Sequence, residues 1–178
     1  LALTTVPLPF GLREVKIAAM TAEGTYAASV ALLSARIFSF SESEDFEELR
    51  GDDKVIAIRG KGPAVEWELE EGGISLDAYK ILVGGAIVDT GTTPNQKRTY
   101  TKLATDARPY FKVEGRAISD SGGDFHVVLY KCCVDGEVEG AMNDGEFWIT
   151  KASGKAVGAS TDSKVYEFIQ NETATAIS

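Results

Sequence analysis

Residues 64–70, AVEWELE, alternate strictly: Val65, Trp67 and Leu69 fall on one side, Glu66, Glu68 and Glu70 on the other. A period of two does not fit a helix; it suits a strand with one face on a core and the other in water. The same pattern recurs along the chain. REVKIAAM (13–20), ARIFSFSES (35–43), KVIAIRG (54–60), RPYFKVEGRAIS (108–119), DFHVVLYKCCV (124–134), GEFWITKASG (145–154) and KVYEFIQ (164–170) all read as strands. DSGGD (120–124), MNDG (142–145) and GASTDS (158–163) are turn chemistry, and GKGP (60–63) predicts a hairpin joining 54–60 to 64–70. Strands at this spacing predict a mainly β chain of two packed, mostly antiparallel sheets, a sandwich or barrel. The core candidates are Trp67, Leu69, Phe111, Phe125, Tyr130, Phe147 and Trp148. Phe147 and Trp148 are neighbours, so a regular strand turns only one of them inward.

One segment breaks the alternation. ISLDAYKILVGG (74–85) places Ile74, Ala78, Ile81 and Leu82 on one helical stripe. Ser75 is a natural N-cap, Asp77 complements the first-turn dipole and Gly84 supplies the stop. A helix this short is marginal alone in water, so it must pack on a sheet. The double glycines at 72–73 and 84–85 are its punctuation; a phosphate loop wants G-x-G-x-x-G or G-K-[ST], and neither pattern is present.

A chain of 178 residues suits one domain with a real core, here with an extended N-terminal arm (about 1–11) and a C-terminal tail (about 171–178). Both ends are expected to become ordered only against something else. No apolar run reaches the roughly 18 residues of a membrane span. The opening LALTTVPLPFG lacks the basic and apolar regions of a signal peptide.

Chemistry-bearing patterns are weak throughout. His126 is the only histidine and sits inside an apolar strand pattern, which reads as structural or surface. Cys132 and Cys133 are adjacent, point to opposite faces and read as buried thiols in a chain made in a reducing cytoplasm. At strand rise they lie roughly 20 Å from His126, too far for a nucleophile–base pair. Paired acids such as Glu66, Glu68 and Glu70 suit a glycosidase on paper, but alternation is the ordinary pattern of a half-solvated strand. DSGGD, DGEVE and NDGE are oxygen-rich turns without the spacing of a calcium loop. The expectation is no enzyme, no cofactor and no bound metal. The formal charge of -9 argues against phosphate-clamping nucleic-acid binding. Many strands with arms at both ends suit an assembling protein whose sheet edges are paired by neighbours.

ELRGDDKVIAIRGKGPAVEWELEEGGISLDAYKILVGG, then TGTTP, PYFKVEGRAISDSGGDFHVVLYKC, DGEFWITKASGKA and NETAT follow one another in a specific order. Over roughly residues 12 to 176 this order resembles the major tail protein of long-tailed, non-contractile phages, most of all those infecting actinobacteria. The resemblance implies a tail-tube fold of two packed sheets flanked by one helix. It also implies rings of six copies stacked into a tube in the virion tail, assembled in the host cytoplasm. The partners implied are further copies of the chain, the tape-measure, tail-terminator and tail-tip proteins, and double-stranded DNA passing without sticking. The N-terminal arm, the acidic segment ESEDFEELRGDD (42–53) and the C-terminal tail become candidates for contacts between subunits.

A ring of six would carry about -54 formal charges, six times the -9 of one chain. DNA carries one negative charge per about 1.7 Å, so an acidic bore leaves it free to slide. On that reading Glu66, Glu68 and Glu70, or Glu42, Glu44 and Glu47, face the lumen. The plain alternative puts them on an outer surface, keeping subunits soluble. Two other functions remain open on the residues: a surface β-sandwich binding module, with or without calcium in its turns, and a carbohydrate-active enzyme using two of the acids.

Overall fold

The alternating runs become strands in the computed structural model, which describes residues 3 and 5–177. Leu1, Ala2, Thr4 and Ser178 lie outside the described residues, so the expected arm and tail are described only in part. In chain order the elements are β1 (Pro9–Ala22), β2 (Thr25–Tyr26), β3 (Val30–Ala31), β4 (Ala35–Gly51), β5 (Lys54–Gly72) and α1 (Leu76–Val83). They continue as β6 (Ala86–Thr90), β7 (Lys97–Thr101), β8 (Phe111–Ser119), β9 (Asp124–Cys133), β10 (Val138–Glu139), β11 (Ile149–Ala156) and β12 (Tyr166–Asn171). The chain is mainly β with one short helix, as the alternation predicts.

Ten strands form one sheet in the order β2-β1-β8-β9-β11-β5-β4, with β3 on β1, β12 on β9 and β10 on β11. Every pairing of named strands is antiparallel. The sheet turns a corner within β9. Asp124 to Leu129 pair with β12, whereas Cys132 and Cys133 pair with β11. Between them Lys131 takes a left-handed φ of 42°, a kink that re-aims the strand. One long sheet thereby yields two facing layers. Val15, Ile17, Phe111, Val113 and Leu129 come from one layer, Val65, Trp67, Leu69 and Ala152 from the other. Trp67 meets Phe111 edge-on at 5.5 Å between ring centroids. Each such buried side chain contributes about 1.5–3 kcal/mol of apolar transfer, so this contact zone decides the fold.

Of the core candidates, Trp67, Leu69 and Phe111 are buried and Phe125, Tyr130 and Trp148 half-buried. Phe147 is a correction: it is 95% exposed, because it lies in the loop before β11 and not in the strand. Cys132 is buried and Cys133 half-buried, both free thiols, and burial pushes both above the ordinary thiol range.

The hairpin assigned to GKGP is a second correction. Residues 54–72 form one continuous strand, and β5 instead pairs back on β4 through the turn at Asp52 and Asp53, both left-handed (φ 50° and 59°). The Gly60–Pro63 stretch is absorbed as a register shift opposite Glu44 and Phe46. The acidic segment 42–53 is accordingly strand up to Gly51.

Helix α1 starts at its Ser75 cap, whose hydroxyl accepts from the Ala78 N–H at 3.3 Å, and ends at Gly84. It buries Ala78, Ile81, Leu82 and Val83. Ile74 precedes the cap and is exposed, so it is not part of the stripe. The separate β6–β7 ribbon closes the helix end: Lys102 donates to the Val83 carbonyl and Tyr100 to that of Gly84.

Candidate functional site

The feature with least internal support is the far half of the β4–β5 hairpin. Pairing of β5 with β11 covers only Val65 to Gly72, and β4 pairs with no strand but β5 among the described residues. Residues 43–64 are therefore a two-stranded ribbon with both edges open, reaching about 30 Å at strand rise. Phe46, Leu49, Ile56 and Ile58 on it are 60–65% exposed. Two ion pairs lie within the ribbon, Glu47 with Lys61 at 2.9 Å and Glu48 with Arg50 at 2.8 Å. A two-stranded ribbon is marginal alone in water, and open apolar edges recruit strands.

The two acidic sets do not share a surface. Glu66 and Glu68 lie beside Ser41 and Ser39 on the outward face of β5 and stay exposed. Glu70, on the same row, is 6% exposed and held by Arg36 at 3.2 Å and Lys151 at 3.6 Å, which corrects its placement with the solvated acids. The neighbouring Glu71 turns inward, and burial pushes its carboxyl above the usual range. Lys155 meets Glu66 at 3.8 Å and Asp135 at 3.6 Å. Asp135, Glu137 and Glu139 line the adjoining shallow grooves. Six carboxylates thus face the cations Arg36, Lys151 and Lys155, and the strip remains acidic although its own lysines dilute it. Glu42 lies beside Val65, on the opposite face of β4, where it accepts from the Tyr166 hydroxyl. Glu44 turns onto the Gly62 N–H at 3.2 Å, and Glu47 sits on the ribbon.

A third locus lies on the outer face of β1, β8 and β9. The β8–β9 hairpin sets Arg116 opposite His126 and Ile118 opposite Asp124, and β1 adds Glu14 opposite Arg116. Asp124 is 0% exposed. Burial alone would raise its carboxyl, but hydrogen bonds from Asn171, the Thr175 N–H and His126 outweigh it and hold the group below the usual range. His126 is buried, with Nδ1 3.2 Å from Glu114 and Nε2 3.1 Å from the Thr175 carbonyl. Both of its ring nitrogens are thus engaged within the chain. What buries this cluster is the segment after β12: residues 172–177 lie across it and Ile177 is 4% exposed. The expectation that this tail becomes ordered only against something else is corrected, since it docks on its own sheet. At the other end Pro9 and Phe10 already belong to β1, and the Leu8 N–H donates to Ser119 at 2.9 Å.

Sequence reading missed this cluster, although the DSGGD turn carries the signal: a hairpin folded about it brings Arg116 to His126. Among the described residues no three His, Cys, Asp or Glu side chains converge closely enough to hold a metal ion. No helix among them is long and apolar enough to cross a membrane.

No family model and no curated protein matches the chain. Among solved structures its fold is similar to a chain in the 6-fold symmetrised cryo-EM structure of the anti-feeding prophage (AFP) baseplate. The TM-score is 0.52 at 8% identity, over 94% of this chain and 98% of that one. At such identity the likeness is one of fold.

Proposed function

We propose that this chain is a structural protein of a phage-type particle, not an enzyme, and that its copies form rings of six that stack into a tail tube. The observation that carries this reading is the ribbon of residues 43–64, with two open edges and four exposed apolar side chains. A sheet edge of that kind is completed by a neighbour, and a head-to-tail contact that closes on itself makes a ring. The fold likeness to a 6-fold symmetrised phage-type baseplate supports the same class. In the virion the partners would be neighbouring copies, the tape-measure protein within the bore, the terminator and tip proteins at the tube ends, and DNA in transit. Of the acids, Glu66 and Glu68 on the outward face of β5 are one pair of lumen candidates, and Glu42, Glu44 and Glu47 of β4 are the other set; buried Glu70 drops out.

The test is electron microscopy with light scattering on the purified chain and on the double variant Phe46→Ser with Ile58→Ser. The parent is expected to give rings or tubes of uniform width. The variant is expected to stay monomeric while unfolding within about 0.5 kcal/mol of the parent, since both side chains are exposed in one subunit. Assembly unaffected by the double substitution would sink the ribbon as the contact.

A further inference from the structure

We propose that the groove across the outer face of β1, β8 and β9 is a peptide-docking site, and that a second copy's segment 172–177 can occupy it in place of the chain's own. The contacts carry this. Asp124 accepts from the Thr175 N–H at 2.7 Å, and Arg116 and His126 face the Thr175 carbonyl at 3.2 and 3.1 Å. Two residues on, Lys16 donates to the Ile177 carbonyl at 2.6 Å, and the Ile177 N–H donates to Glu14 at 3.4 Å. In an extended chain the N–H and C=O groups of alternate residues point the same way, so the segment is read as an edge strand is read. Here side chains of the sheet face supply the donors and acceptors that a neighbouring strand would supply.

Recognition is therefore mostly of main chain, with one apolar anchor at Ile177. None of it requires the segment to be joined to the same β12. An identical segment from another copy makes the same bonds, which is the condition for exchange between subunits. The groove is also costly to leave empty. Asp124 and His126 are almost wholly buried beneath the segment, and without it their polar atoms must be rehydrated or re-paired. This inference does not depend on the ribbon, and either can fail without the other.

The probe is a fluorescein-labelled peptide of residues 171–178, NETATAIS, titrated into the full-length chain by fluorescence polarisation. In the parent the attached segment competes, so the peptide binds with an affinity reduced by the small open fraction. Ile177→Asp removes the anchor and sets a carboxylate beside Glu14, freeing the groove; the peptide is expected to bind this variant roughly tenfold or more tightly than the parent. A peptide with Thr175→Pro lacks the N–H that Asp124 accepts and is expected not to bind. The proposal is overturned if the folded Ile177→Asp chain does not take up the peptide, or if the proline peptide binds equally well. Should Ile177→Asp fail to fold, a peptide with a photo-crosslinker at Ala176 decides the matter on the unsubstituted chain. Label in β1, β8 or β9 supports the site, and label elsewhere overturns it.

Discussion

At the scale of single residues one tight constraint lies at the corner of the sheet. A Cβ built on Gly154 would sit 2.0 Å from the Cys133 carbonyl oxygen and 2.7 Å from the Trp67 ring. The first of these neighbours is backbone and cannot swing aside. Gly154→Ala is therefore expected to cost about 1–3 kcal/mol through overpacking. In urea unfolding the midpoint should fall while the slope stays unchanged; a midpoint equal to the parent's would mean the corner is looser than drawn. Asp124 makes the second prediction. Its carboxyl is depressed in the folded chain, so its contribution is fully present above the unfolded value of about 3.9 and is lost as pH falls through the lower folded value. Asp124→Asn should lower stability near neutrality, and the gap between parent and variant should close on acidification below about pH 4. Urea midpoints measured from pH 7 to pH 3 check this, and a gap that persists or widens in acid would refute it.

At the scale of elements, α1 and the β6–β7 ribbon depend on one another. Arg98 on β7 reaches Asp77 at 2.8 Å, Tyr79 and Tyr100 stack edge-on at 5.2 Å, and the Tyr100 hydroxyl donates to the Gly84 carbonyl at 2.6 Å. Tyr100→Phe keeps the ring contact and deletes only that bond, so it should cost about 0.5–1.5 kcal/mol by urea unfolding. No loss would show that water replaces the hydroxyl. The helix was legible from sequence because its signals are local: a serine cap, a first-turn acid and a glycine stop within ten residues. Single strands were legible for the same reason. Pairing was not. GKGP is genuine turn chemistry, but whether it turns the chain depends on what lies opposite, and β4 lies opposite on both sides of it, Glu44 pairing with Pro63 and Phe46 with Gly60 across a register shift. The AIVDT and KRTYT runs around GTTPNQ carry β-branched residues on both sides of a turn, a local signal that matches β6 and β7. The burial of Glu70, the exposure of Phe147 and the docking of residues 172–177 depend on contacts distant in sequence, which alternation cannot encode.

For the whole molecule the proposed assembly turns on what would hold copies together and what would keep them apart. Burying what is still exposed of Phe46, Leu49, Ile56 and Ile58 against a neighbour would offer about 4–8 kcal/mol of gross apolar transfer. Association costs about 4–15 kcal/mol before any of that appears as affinity. One ribbon contact is thus close to break-even, and in the proposed assembly a closed ring, in which each copy makes two, would be the stable species. Charge acts against closure. Each copy brings -9, and the ribbon's own ion pairs are already satisfied within the chain, so the long-range term between copies is repulsive. Salt shortens the reach of that repulsion from about 10 Å at 0.1 M to about 3 Å at 1 M and leaves the apolar contact intact or strengthened. Spontaneous assembly should therefore speed up and go further as sodium chloride is raised from low to molar concentration. Sucrose raised to the same osmolality should give less acceleration, since it leaves the charges unscreened. Light scattering against time, with microscopy to separate tubes from aggregate, measures both. Assembly that slows with salt would mean that copies are joined by ion pairs between chains, and the search for the contact would then move from the ribbon to the acidic strip of β5 and β11.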